Sequence, residues 1–299
     1  MTTSEKILVT GATGSIGSLL IENLTKVGAN VRALVRDESK GKGFKDASVE
    51  FAIGDLSRPE TLDAAFAGVS RVYLLTPLNE EQYRLASSGL AAAKRSGKPH
   101  VVRSSGMIPA PIEESRVGRH QVQIENDLKS CGLPYTILRP HLFMQTTMLA
   151  AQTVKSEGTI YMPLKEGKIG MIDIRDIAEA AAKVLTSEGH EGKTYELTGP
   201  AAISIYDVAA ALSKALGKPI KYVDVPPQAA RESLLGMGVP EWVVGATLEF
   251  FQKFSEGGGD KVTGDFESLT GHAPRSYKTF AKDFVTVFGG SEETLTGNG

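Results

Sequence analysis

The 299-residue sequence carries one cysteine and one tryptophan, and it has neither a long apolar run nor a dense basic stripe. With Cys131 alone, no disulfide and no cysteine-based metal site can form within one chain, so a reducing compartment is expected. No apolar stretch reaches bilayer-spanning length. Residues 1–5 pass straight into an apolar strand and leave no room for a secretory leader, so the expected location is cytoplasmic, with no membrane partner. Lys and Arg total 33 against 35 Asp and Glu, a formal charge of −2. That balance gives no electrostatic footprint for nucleic acid; a small neutral or anionic ligand suits it better. Nothing is of low complexity, and 41% hydrophobic content allows a full core in one large or two modest domains.

What is present is organised around residues 6–27. Lys6, Ile7, Leu8, Val9 and Thr10 read as a buried strand, residues 11–17 turn sharply, and Ile16, Leu19, Leu20, Leu24 and Val27 recur at helical spacing. Gly11 permits the turn, Gly14 lets backbone approach a pyrophosphate, and Gly17 lets helix pack on strand. The helix N-terminus then offers N–H groups and a positive dipole end to the anion. The spacing is G-x-x-G-x-x-G rather than the general G-x-G-x-x-G, but it stands between strand and helix, the context that a dinucleotide site requires. Gly11, Thr13, Gly14, Ser15, Ile16 and Gly17 are therefore the candidate phosphate loop.

Further strands are expected at 31–36, 49–53, 71–77, 99–103, 135–139 and 193–197, with helices at 58–66, 80–96 and 174–186 between them. This alternation makes a doubly wound parallel sheet of Rossmann type, class α/β. An acid ending the second strand would bind an adenosine 2′-hydroxyl. Arg36 stands there, followed by Ser39, Lys40 and Lys42, and a guanidinium matches a 2′-phosphate, which favours NADPH. The plainer reading is a solvated basic loop, since Asp37 and Glu38 are adjacent. Asp55, ending the third strand, suits either an adenine amino group, with Leu56 packed on the ring, or the cap of the following helix.

Several segments together carry a resemblance: T-G-A-T-G-S-I-G at 10–17, G-D-L at 54–56, L-L-T-P at 74–77, Y-T-I-L-R-P at 135–140, I-D-I-R-D-I-A at 172–178 and L-T-G-P at 197–200. The chain resembles the NmrA-like branch of the atypical short-chain dehydrogenase/reductases, including residues 265–275 before the last helix. That resemblance implies an NADPH site to which Leu75, Thr76, Pro77, Ser104 and Pro140 also contribute. It covers quinone, triphenylmethane-dye and azo-dye reductases as well as regulators that bind the nucleotide without turnover.

Extended members of the superfamily carry Tyr-x-x-x-Lys on the helix entering the active site. With Glu125 and Leu128 fixing the register, the Tyr position here is Val117 and the Lys position is Gln121. General acid assistance is worth about 10²–10⁴ in rate, so ordinary ketone reduction is not expected. A quinone, azo compound or triarylmethyl cation accepts hydride into a conjugated system without it, and positioning supplies most of the rate. A proton would come from water or from His120, which is equally suited to a pocket wall. Ser104 and Ser105 end the fifth strand; one of them, with Ser105 the catalytic candidate, is expected at the nicotinamide or acceptor, unless both merely bond their own turn.

Met107, Phe143, Met144 and Met148 suit either an apolar wall for a flat aromatic substrate or simple core. Asp173 and Asp176 fit helix capping better than metal binding, and no metal is expected. Residues 1–199 are read as the dinucleotide-binding domain, with 157–170 available to the substrate domain. Residues 200–288 are a smaller, mostly helical substrate domain, and 289–299 a flexible polar tail. Oligomeric state is not legible.

Overall fold

Short apolar runs alternate with amphipathic stretches through the first two thirds of the chain, and each run becomes one strand of a single parallel sheet. The computed structural model describes residues 5–41, 43–44, 48–108, 111 and 114–291. Lys42 and residues 292–299 of the expected tail lie outside the described residues. The elements run β1 (Lys6–Val9), α1 (Ser15–Lys26), β2 (Asn30–Val35), α2 (Glu38–Gly41), β3 (Glu50–Ile53), α3 (Leu62–Phe66), β4 (Arg71–Leu74), α4 (Gln82–Arg95), β5 (His100–Ser104), α5 (Arg116–Ser130) and β6 (Tyr135–Pro140). They continue with α6 (Ala151–Glu157), β7 (Thr159–Met162), α7 (Ile174–Thr186), β8 (Lys193–Leu197), α8 (Ile205–Leu216), β9 (Lys221–Asp224), α9 (Pro227–Gly236), α10 (Glu241–Ser255), α11 (Asp265–Thr270) and α12 (Tyr277–Asp283).

The large sheet has the order β3-β2-β1-β4-β5-β6-β8, and all its pairs are parallel. The chain winds one way from β1 to β3 and the other way from β4 to β8. The order therefore reverses between β1 and β4, and in such sheets ligands bind outside the carboxyl ends of the strands at that point. One face is covered by α1 and α7 through Ile16, Leu20, Leu24, Ile177, Ala181 and Val184. The other is covered by α3, α4 and α5 through Leu62, Phe66, Leu85, Leu90 and Leu128.

A second core forms beyond the carboxyl edge. It joins Met144, Val154, Ile160, Met162, Ile169 and Met171 to Val208, Leu212, Phe251, Phe254, Phe280 and Phe288. The two cores do not divide at residue 199: the crossover after β6 commits 144–171 to the second core, more than the 157–170 expected. In return, α11 goes back to the first core through Phe266 and Leu269. The second domain is mostly helical as expected, with β7 and β9 paired in parallel from Thr159↔Lys221 to Met162↔Asp224. Pro59–Thr61 and Met144–Ala150 are wound more tightly than an α-helix. The closing helix ends at Asp283 and continues as a 3₁₀ turn, Val285–Phe288. No helix of the described residues is long and apolar enough to cross a membrane.

Candidate active site

The loop after β1 is held almost wholly by backbone. Gly11 takes φ +64, a left-handed conformation that glycine adopts without a Cβ penalty, and Gly14 N donates to Gly11 O at 2.9 Å. A Cβ on Gly17 would lie 2.1 Å from Gly11 O, so any side chain there collides with the turn. Thr13, Gly14 and Ser15 are exposed at the strand edge, whereas the Ile16 side chain is buried in the first core and can offer a ligand only its backbone. No side chain caps α1 and no acid stands in its first turn, so the N–H groups that open the helix are unclaimed by a cap. A glycine turn that admits no Cβ, aimed at an uncapped helix end, fits a dinucleotide pyrophosphate.

Thr10, which the sequence reading passed over, ties this loop to the next. Its Oγ1 donates to Leu75 O and accepts from Leu75 N, both at 2.8 Å, and locks the two sides of the switch point together. Leu75 is half-buried and Pro77 exposed, while Thr76 is buried and accepts from Arg103 Nη1 at 3.0 Å. At the adenosine end, Arg36 is exposed just past β2. Its neighbour Asp37 is occupied by its own turn, accepting from Ser39 Oγ and, at 3.1 Å, from Lys40 N. Asp55 caps no helix: its Oδ1 accepts from Ser57 N and Ser57 Oγ at 2.8 Å, and the following 3₁₀ turn starts only at Pro59. Burial pulls the Asp55 carboxyl up, but the two Ser57 bonds together with Arg58 and Arg36 hold it below the ordinary range. Leu56 packs in the core between the sheet and α4, which limits what it can offer a ring.

Beyond β5 the cleft is floored by a buried polar network. Arg103 is fully buried; its Nη1 donates to Leu74 O and Thr76 Oγ1, and its Nη2 to Gln121 Oε1 at 3.2 Å. Burial pushes its guanidinium down to about 10. Ser105 Oγ lies 2.7 Å from Glu125 Oε1 and 3.1 Å from Gln121 Oε1. Arg139 Nε donates to Glu125 Oε1 at 2.9 Å. Burial pulls the Glu125 carboxyl up, and the Arg139 and Ser105 hydrogen bonds outweigh it and keep it ionised. Ser104 is buried at the end of β5 and Pro140 at the end of β6; Val117 is buried on α5.

The outer wall draws on both domains. Phe143 packs against the first core and bridges to Ile172, whereas the adjacent Met144 is 1% exposed inside the second core. Met144 is therefore core and presents no face to a substrate, the one member of the expected apolar wall that the structure removes. Met107 and Met148 are half-buried against the second core. His120 stacks on Trp242 of α10, ring centroids 5.6 Å apart and planes 14° from parallel, with Nδ1 buried and unpartnered. Burial, then the nearby Arg119 charge, push its imidazole below the ordinary value, so the ring is neutral near neutral pH. Arg116 N and Nε both donate to Glu249, and Lys253 pairs with Glu114 just ahead of α5, so α10 is tied both to α5 and to the residues that lead into it. A groove of about 660 Å³ beside Arg116 runs between α10 and residues 224–227, and none of the expected site residues line it.

Residues 3–280 match the NmrA-like family. The chain belongs to that family. It is similar to the NAD(P)H azoreductase of Xenophilus azovorans, 38% identical across 95% of this chain and 99% of that protein. It is also similar to the (4-alkanoyl-5-oxo-2,5-dihydrofuran-3-yl)methyl phosphate reductase of Streptomyces griseus subsp. griseus, 32% identical across 94% of this chain and 99% of that protein. The crystal structure of the Citrobacter sp. triphenylmethane reductase complexed with NADP(H) is 28% identical, covers 92% of this chain and 98% of that one, and superposes with a TM-score of 0.82.

In this NmrA-like chain Asp173 caps α7, accepting from Arg175 N at 2.9 Å, and also receives Gln145 Nε2. Asp176 does something else: it is fully buried and receives Arg275 N at 2.8 Å and the Arg275 guanidinium, 99 residues further along the chain. Three contributors thus escaped the sequence reading. Thr10 and Arg103 left a local trace, a hydroxyl before the glycines and a lone arginine inside an apolar strand. Arg275 left none, because its partner is reached only through the fold.

Proposed function

We propose that this NmrA-like protein is an NADPH-dependent oxidoreductase that passes a hydride to a conjugated aromatic acceptor of the quinone, azo or triarylmethane type. An intact dinucleotide cradle at the switch point, set against a cleft floored by Val117 and Gln121, carries the reading. The bound dinucleotide supplies the hydride; the chain's residues bind, orient and exclude water. Gly11, Thr13, Gly14 and Ser15 would hold the pyrophosphate, with Arg36 on the 2′-phosphate, while Leu75 and Pro77 flank the crevice and Asp55 faces the adenine end.

With a valine at the expected tyrosine position and an amide at the expected lysine position, no strong side-chain acid assists the transfer. Acceptors whose own conjugation takes up charge are the class that tolerates this, and the similarity to reductases of azo, triphenylmethane and conjugated furanone compounds supports the reading. Phe143, Met107 and Met148 form the apolar side of the cleft against a flat ring. His120 serves as a neutral wall ring stacked on Trp242, and water delivers the proton. Ser105 braces Glu125 and Gln121, and Ser104 closes the strand end beneath them.

Loss of NADPH absorbance over a panel of quinones, azo dyes and triarylmethane dyes tests the proposal. Turnover of at least one class is expected, with NADH slower. The missing pair also suits a nucleotide sensor without catalysis; tight NADP⁺ binding with no turnover across the panel would select that reading instead.

A further inference from the structure

Arg103 lies within β5 with no exposure to solvent, and none of its hydrogen bonds among the described residues goes to a carboxylate. Glu125, the acid of this network, is already engaged by Arg139 and Ser105. A buried guanidinium without a counter-ion is costly unless its N–H groups find acceptors, and one of the three acceptors it finds is the Gln121 amide oxygen. An arginine has only donors, so the amide must turn its carbonyl toward it. Ser105 Oγ approaches the same oxygen at 3.1 Å while its shorter contact is to Glu125, so Arg103 is the main donor that holds the amide in this orientation.

Gln121 Nε2 consequently points away from Arg103. It has no hydrogen-bond partner among the described residues, and, chain neighbours aside, it is the sole atom of the described residues within 4 Å of the position that a Cβ on Gly106 would occupy, at 3.8 Å. Gly106 lies just past the carboxyl end of β5, next to Ser105, on the edge where the proposed acceptor would sit. Hydrogen bonds in series polarise one another in a low-dielectric interior, so a carbonyl pulled by a guanidinium leaves its own N–H groups stronger donors.

We propose that Arg103 and Gln121 form a donor relay, in which Gln121 Nε2 hydrogen-bonds the acceptor heteroatom that becomes negative as the hydride arrives. The proposal rests on the reductase reading of the same cleft. In the transfer the acceptor gains two electrons and one hydrogen nucleus, the dinucleotide leaves as NADP⁺, and the heteroatom then takes a proton from water. Gln121 gives up no proton; it stabilises the charge until water arrives. The relay therefore discriminates between acceptors. A quinone oxygen or azo nitrogen becomes anionic and benefits, whereas a triarylmethyl cation becomes neutral at carbon and has no such atom to bond.

Gln121→Glu tests this directly. It keeps an oxygen for Arg103 and removes the donor, with the new charge set between Arg103 and Glu125. The expected result is a fall of at least tenfold in the ratio of kcat/KM for a quinone to kcat/KM for a triarylmethane dye. Gln121→Met, which removes the donor without adding charge, should move the ratio the same way. In the NADP⁺-loaded protein, bound 4-nitrophenol, whose phenolate absorbance reports its ionisation, should have its pKa lowered by the wild type and restored by Gln121→Glu. An unchanged ratio, an equal fall with both acceptors, or a 4-nitrophenol pKa that is the same in both proteins overturns the relay. Wild-type protein that oxidises NADPH with neither acceptor overturns the reductase reading itself, an outcome that no substitution at Gln121 produces.

Discussion

The two sides of the cleft are made in different ways. The phosphate loop of the proposed nucleotide side is one unbroken segment, residues 10–17, tied to the neighbouring strand and its end through Thr10 bonds to Tyr73 and Leu75, and the atoms it presents are mostly backbone. The acceptor side, as proposed, draws on Met107, α5, the turn at 143–148 and α10, and it is made of side chains. Backbone geometry tolerates no substitution at a few glycines and almost any substitution elsewhere. A side-chain wall can be rebuilt one residue at a time. That contrast accounts for one cradle serving relatives whose acceptors differ.

The sharpest way to separate the two sides is to loosen their joint. Asp176 on α7 is fully buried against Arg275, which stands just ahead of α12. Arg275→Ala leaves that carboxylate the backbone N–H of residue 275 but no counter-charge from it, and removing one member of a buried pair costs about 3–5 kcal/mol. The lower end is expected, because the guanidinium is 34% exposed. Urea unfolding should record the loss, while NADPH affinity at permissive temperature changes less than about threefold. If affinity falls in step with stability, the cradle is not independent of the second domain.

Arg36→Ala probes the one side-chain-dependent feature of the nucleotide side. Hydrogen bonds to charged groups contribute about 1.5–3 kcal/mol, so NADPH binding should weaken roughly 10- to 150-fold with NADH little affected. Calorimetry that shows equal losses for both nucleotides would remove the 2′-phosphate assignment.

Within the cradle, Gly17→Ala places a methyl 2.1 Å from Gly11 O, and backbone has nowhere to give. Overpacking of this kind costs about 1–3 kcal/mol, expected here as a shared loss of stability and of NADPH affinity. Phe143→Ala should instead raise KM for the acceptor several-fold and leave NADPH affinity alone. A Gly17→Ala protein that binds NADPH normally would show that the turn is not held as tightly as its geometry indicates.

How much of this was legible in the sequence follows the same division. The strand, glycine turn and helix at 6–27 could be read because every atom that matters is local, and the parallel sheet followed from the alternation of strands and helices. The commitment of 144–171 to the second core was only half visible. The adjacent Phe143 and Met144 look alike in sequence, yet they enter different cores, and that choice depends on partners such as Ile172 and Phe251. Trp242 reaches His120 from α10, and Arg275 reaches Asp176 across 99 residues; neither spacing has a period that a sequence pattern can reveal.

The smallest expected effect concerns that stacked pair, and it decides whether His120 is wall or acid. Burial and Arg119 hold its imidazole below the ordinary value of about 6.5. Between the two values the unfolded chain binds more protons than the folded one, so this group's share of stability is complete above about pH 6.5 and is lost as pH falls through the folded value. His100, His141 and His190 are pushed down by burial too, so acid sensitivity is shared among four histidines. His120→Phe keeps a ring on Trp242 and cannot titrate; it should remove one share of that sensitivity, seen as a narrower stability gap between pH 8 and pH 5. His120→Ala should cost about 0.5–1.5 kcal/mol at pH 8, the worth of an aromatic pair, and less at pH 5. On turnover, a wall residue shifts KM in both variants and leaves the pH profile of kcat in place. A lower kcat whose alkaline limb disappears in His120→Phe would make the imidazole a proton donor, and would turn the acceptor side from a surface that only positions its substrate into one that takes part in the chemistry.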